Sequence, residues 1–171
     1  MTKSTSLALD QKDLDTILVI DFGSQYTQLI ARRVRELDVF SEILPWDISP
    51  ERIKDLNPAG IILSGGPESV TVSNTPRIPE IVFDLDVPIL GICYGMQTLA
   101  EQFGGQVTSS KVKEFGHAEI VIEETSVLFE GFSSGSSIDV WMSHGDHVST
   151  LPDKFKLVAS TPSAPIAAMQ H

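Results

Sequence analysis

Cys93 lies between Gly91 and Gly95, where an apolar run from Val87 to Ile92 gives way to Met96, Leu99, Ala100 and Phe103 at helical spacing. A buried strand entering a cysteine, a helix leaving it and glycine on both sides make a nucleophile elbow. Such a turn is sharp and strained, and it lifts one side chain above a sheet. The first amides of the helix have unpaired N–H groups, so the thiol is expected to favour its thiolate, with a pKa drawn from about 8.5 toward neutrality. The plain alternative is a small buried hydrophobe, the usual fate of a free cysteine. The flanking glycines and the strand-to-helix break weigh against it. A second turn, Ser64-Gly65-Gly66-Pro67, ends another apolar run that begins at Ala59. Two glycines let backbone N–H groups approach a ligand closely. An acyl-transfer oxyanion needs such donors, each contributing about 3 kcal/mol of transition-state stabilisation. By itself this is an ordinary loop; beside an elbow cysteine it becomes half of an acyl-transfer site.

The elements that must position these two turns can be read along the chain. Residues 1–15 are polar, carry both charge signs and are expected to form a loose arm. Thr16 to Asp21 is a short buried strand. Tyr26, Leu29, Ile30 and Val34 then recur at helical spacing, with Arg32, Arg33 and Arg35 directed elsewhere. A weaker strand runs from Val39 to Leu44, and Pro50 to Leu56 reads as a short helix with Ser49 as its N-cap. Strand 59–64, a helix over Pro79 to Leu85, strand 87–92 and the helix after Cys93 complete the alternation. Apolar strands alternating with helices imply a parallel sheet covered on both faces, with ligands held at the carboxyl ends of the strands. Both glycine turns fall at such ends. From Val107 onward the helical signal disappears. Ile120 to Ile122, Ser137 to Met142, Phe155 to Ser160 and the stretch from Ile166 to Met169 read as strands, predicting an antiparallel β segment beside the α/β half.

Composition narrows the function classes. The 171 residues are 42% hydrophobic and 20% charged, as in a soluble domain with a real core. A formal net charge of −11 argues against nucleic acid and anionic membrane as partners. One cysteine permits neither an internal disulfide nor a multi-cysteine zinc site. No apolar run approaches the roughly 18 residues of a membrane span, and the N-terminus lacks the pattern of a signal peptide. The expected location is the cytoplasm.

Four stretches together resemble the class I glutamine amidotransferase domain found in GMP synthetases: Asp21 to Tyr26 (DFGSQY), Ser64 to Val70 (SGGPESV), Gly91 to Gln97 (GICYGMQ) and Trp141 to Asp146 (WMSHGD). The GICYG element marks class I amidotransferases generally; the first and last stretches narrow the likeness. Lys113 to Gly116 fits as well, although the family often has arginine where Lys113 stands. The resemblance implies a flavodoxin-like α/β fold over residues 16–171. It implies that Cys93 attacks the side-chain amide of L-glutamine to form a thioester and release ammonia. Gly66 and Tyr94 would supply the oxyanion-hole N–H groups, and Gln97, Ser143, Gly145 and Asp146 would hold the glutamine. Ammonia would pass to an ATP-pyrophosphatase domain or subunit that aminates XMP to GMP. ATP and magnesium are expected in that partner, with no cofactor or metal in this chain.

The family activates its cysteine with a histidine oriented by a glutamate, in a His-Pro-Glu motif beyond the equivalent of Ala167 to His171. No such motif occurs here. The chain is therefore expected to stop before its base and to be nearly inactive alone. His171 lacks a following glutamate, and His144 and His147 flank Gly145-Asp146 in an expected ligand loop. There His144 either shapes the glutamine pocket or hydrogen-bonds the loop. Two histidines without cysteine are a weak metal site, and His117 reads as strand-edge packing. Two other readings stay open: a different cysteine hydrolase on the same sheet, or a catalytically incomplete fragment that only binds or regulates a synthetase.

Overall fold

The computed structural model describes residues 15–171, with the side chains of 110–115 and 144 outside that description. Apart from Asp15, the arm expected over 1–15 lies outside it too. Four strands, β1 (Thr16–Asp21), β2 (Phe40–Pro45), β3 (Gly60–Leu63) and β4 (Ile89–Gly91), form one sheet in the order β2-β1-β3-β4. Every pairing in it is parallel. Parallel neighbours require crossovers, supplied by α1 (Thr27–Arg35) between β1 and β2 and α2 (Pro50–Leu56) between β2 and β3. The strand order reverses after β2, so right-handed crossovers place α1 and α2 on opposite faces. Leu18, Val19 and Ile20 are consequently buried in succession, as expected for a strand covered on both sides.

The main core gathers Leu18, Ile20 and Phe22 from β1 and its exit, Ile53 from α2, Ile61 and Leu63 from β3, and Val82. Ser49 caps α2 as expected, its Oγ accepting from Arg52 N at 3.3 Å. Three local readings change. The segment expected as a helix over 79–85 is a 3-10 turn, Glu80–Asp84, pinned between Pro79 and the left-handed Asp86. On α1 the buried residues are Thr27 and Ala31, while Tyr26 and Leu29 face outward. Small residues let this helix sit close to the sheet, close enough for Ser41 Oγ to donate to Ala31 O at 3.1 Å. The third change is the length of the antiparallel strands.

Those strands form a second sheet in the order β6-β5-β7-β8, built from β5 (Gln106–Ile122), β6 (Ser137–Thr150), β7 (Lys156–Ser160) and β8 (Ala168–Gln170). All its pairings are antiparallel. The long β5–β6 hairpin has a register shift between Ser109 and Glu114. Ser143 to Asp146, expected in a loop, therefore belong to β6. No helix among the described residues is long and apolar enough to cross a membrane.

Helix α3 (Tyr94–Gln102) joins the two sheets. Its second residue, Gly95, donates to Ser64 O at 3.0 Å and to Ile92 O at 2.9 Å. A methyl group there would run into the Leu63 carbonyl and Cβ. Replacing Gly95 with alanine should accordingly cost at least about 1–3 kcal/mol of unfolding free energy through overpacking. Gly104 has φ +87° but nothing within 4 Å of an added Cβ, so Gly104→Ala should cost only on the order of 1 kcal/mol. Chemical denaturation of the two variants measures the difference.

Candidate active site

Cys93 follows β4 by two residues and is the N-cap of α3, with φ 49° and ψ −112°, a conformation that non-glycine residues rarely adopt. This is the strained elbow predicted from the glycine spacing. Gly91 and Gly95 make the turn possible by close approach: an added Cβ on Gly91 would lie 2.8 Å from the backbone of Met96. Tyr94 anchors the other side. Its ring is buried, packs against Phe22 at a centroid distance of 5.3 Å, and its hydroxyl donates to Pro76 O at 2.6 Å.

The Ser64-Gly65-Gly66 turn leaves β3 directly beside this elbow. An added Cβ on Gly65 would lie 3.4 Å from Ser24 Oγ and 3.7 Å from Cys93 Cβ, and one on Gly66 would meet Phe22 O at 2.7 Å and the Tyr94 ring at 3.3 Å. Only a residue without a side chain fits there. Among the described residues, the N–H groups of Gly66 and Tyr94 find no protein acceptor. Both border the same polar cavity.

That cavity, about 470 Å³, is lined by Gly66, Cys93, Tyr94, Gln97, Ser143, Gly145 and Asp146, which are all seven residues singled out from the sequence. Two elements that share no sheet are tied across it: Gln97 Nε2 on α3 donates to Asp146 O on β6 at 2.8 Å. Pro67, Glu68, Ser69 and Ser109 complete the lining. Glu68 and Ser69 lie within a stretch already noted for its resemblance. Ser109 carries no local signal; it arrives because β5 pairs it with Asp146.

No histidine ring lines this cavity among the described side chains. His117 Nε2 is bonded to Asp139 at 2.9 Å, far along the hairpin. His171 packs on the rings of Phe155 and Phe103. His147 lines a larger apolar groove of about 1260 Å³, which meets the polar cavity at Cys93, Gln97 and Asp146. Its Nε2 is 3.3 Å from Thr108 Oγ1 and its Nδ1 is buried without a partner among the described residues. The side chain of His144 lies outside the described set. No group of three or more His, Cys, Asp or Glu side chains among the described residues is placed to hold a metal ion.

The thiol departs from expectation. Cys93 is open to solvent on the cavity side, yet burial of its surroundings pushes the thiol up from its ordinary value. Desolvation penalises the thiolate, and it opposes the pull of the α3 amides toward a lower pKa. A thiol so placed gives up its proton more readily once a base is brought beside it.

Comparisons with known proteins bear on the family and the fold. A family model described as glutamine amidotransferase class-I matches residues 18–171. The GMP synthases [glutamine-hydrolyzing] of Teredinibacter turnerae and Hahella chejuensis are each 59% identical, over 159 and 162 residues. Those matches cover 90% and 91% of this chain but only 30% and 31% of the relatives, so the chain spans under a third of their length. The crystal structure of a GMP synthase subunit from Thermoplasma acidophilum superposes with a TM-score of 0.77 at 34% identity, covering 92% of this chain and 78% of that one. A glutamine amidotransferase from Methylobacillus flagellatus shares the fold, with a TM-score of 0.72 at 21% identity, over 92% of this chain and 66% of that one.

The raised thiol sets a pH dependence. Alkylation of Cys93 by iodoacetamide should be slow at pH 7 and keep rising as pH passes the ordinary thiol value of about 8.5. The unfolded chain loses this proton first, so the associated stability is complete below that ordinary value and disappears as pH climbs through the raised one. An alkylation rate that levels off near neutrality would contradict the assignment.

Proposed function

Because the chain belongs to the class-I glutamine amidotransferase family, we propose that its polar cavity hydrolyses the side-chain amide of L-glutamine. The observation that carries this is the meeting, in one cavity, of a strained cysteine and two amide N–H groups with no acceptor among the described residues. Cys93 Sγ adds to the amide carbon, and the carbonyl electron pair moves to oxygen. The N–H groups of Gly66 and Tyr94 are the donors that meet this developing charge. The C–N bond breaks, ammonia leaves with the thiol's proton, and water then cleaves the thioester to glutamate and regenerates the thiol. Gln97, Ser143, Gly145 and Asp146 hold the amino-acid end of the substrate.

In this reading the general base is a histidine oriented by a glutamate, supplied by sequence outside these 171 residues. His117 is engaged with Asp139, and His147 and His171 lie in the apolar groove rather than the substrate cavity. The fate of the ammonia belongs to the same proposal: an ATP-pyrophosphatase domain or subunit, using ATP and magnesium, aminates XMP to GMP in the cytoplasm. Support comes from relatives that are named glutamine-hydrolysing GMP synthases.

Two measurements test this. The electrophile 6-diazo-5-oxo-L-norleucine should label Cys93, with L-glutamine protecting and Cys93→Ser abolishing the label. In the complete enzyme, Cys93→Ser should abolish glutamine-dependent GMP formation, by at least about 10⁴-fold, while leaving formation from added ammonia intact. Glutamine-dependent turnover that survives the substitution would sink the proposal.

A further inference from the structure

Ser64 is fully buried and spends all its polar groups at the junction of the site. Its N–H donates to Ile20 O at 3.0 Å, and its carbonyl accepts from Gly95 N at 3.0 Å. Its hydroxyl accepts from Phe22 N at 3.1 Å and donates to Gly65 O at 2.9 Å. This last bond also orients the neighbouring amide. Gly65 C=O and Gly66 N–H belong to the same planar trans peptide, so they point in opposite directions. Holding the carbonyl inward on Ser64 Oγ turns the Gly66 N–H outward. A Gly-Gly peptide is otherwise the easiest in the chain to rotate, because neither residue has a Cβ to resist it.

We infer that Ser64 is a positioning residue for catalysis: its hydroxyl locks the Gly65–Gly66 peptide so that the Gly66 N–H faces the oxyanion formed above Cys93. The same hydroxyl ties that peptide to the exit of β1 through Phe22, so the donor is referenced to the centre of the sheet and not to its own loop. The inference rests on the proposed amide hydrolysis and names a control on its oxyanion donor.

Removing a donor of this kind costs about 10²–10³-fold in rate. Misdirecting one of two should cost about 10–100-fold. The test uses the complete enzyme and L-glutamate γ-semialdehyde as the probe. Its carbonyl carbon takes the Cys93 sulfur while the thiol proton passes to oxygen, giving a tetrahedral thiohemiacetal whose oxygen accepts from the same N–H groups and which has no leaving group to lose. Ser64→Ala should weaken aldehyde inhibition and lower kcat by about 10–100-fold. KM for glutamine and the alkylation rate of Cys93 by iodoacetamide should stay within about 3-fold. Ser64→Thr keeps the hydroxyl and should retain most of the aldehyde affinity, which separates the bond from mere occupancy of the site. Equal aldehyde affinity in Ser64→Ala and the parent overturns the inference, as does equal loss in the alanine and threonine variants. Failure of the parent enzyme itself to bind the aldehyde would instead refute the amide-hydrolysis reading.

Discussion

The backbone of Cys93, at φ 49° and ψ −112°, costs a non-glycine residue on the order of 1–3 kcal/mol, and surrounding contacts must hold it there. Those contacts come from one place. Gly95 sits against Leu63 with no room for a side chain and donates to Ser64 O. Tyr94 is driven into the core with its hydroxyl on Pro76. Cys93 is therefore held by the end of β3 and the first turn of α3 together. The glycine turn shares the same packing: an added side chain on Gly66 would meet both Phe22 and the Tyr94 ring, so the turn lies close against the residue that follows Cys93.

The two sheets divide the remaining work. The parallel sheet presents Gly66, Cys93 and Tyr94 beyond its strand ends, the usual position for a ligand in an open α/β sheet. The antiparallel sheet contributes Ser143, Gly145, Asp146 and Ser109 from its long hairpin. The hydrogen bond from Gln97 Nε2 on α3 to Asp146 O on β6 spans the cavity. Both partners are buried, so the bond is shielded from competing water and fixes the distance between the helix after Cys93 and β6.

Electrostatically the cavity is held in waiting. Desolvation keeps the proton on Cys93, and the imidazoles of His117, His147 and His171 all lie outside the polar lining. The apolar groove that joins the cavity at Cys93 is lined by groups such as Leu90, Ile92, Met96 and Phe155. This low-dielectric surface accounts for the direction of the thiol's shift. A thiol that stays protonated until a base and substrate arrive is spared oxidation and unproductive reaction.

Local sequence determined a good deal. The elbow followed from glycines flanking a cysteine at a strand-to-helix break, because only such spacing tolerates the turn. β1, the Ser49 cap and α2 followed from apolar periodicity and from the stereochemistry of Pro50. The seven residues found around one cavity come from three separate stretches of sequence, and the resemblance did not say what brings them together. Tertiary structure decided that, along with everything that depends on distant partners. Ser109 reaches the cavity only through β5–β6 pairing, and Ser143 to Asp146 extend as strand because β5 lies alongside them. Tyr26 and Leu29 are exposed because the sheet admits only the small face of α1. The Cys93 thiol is raised because burial sums over neighbours far along the chain. Periodicity reports which residues can share a face; which face is covered, and by what, is settled only when the chain closes on itself.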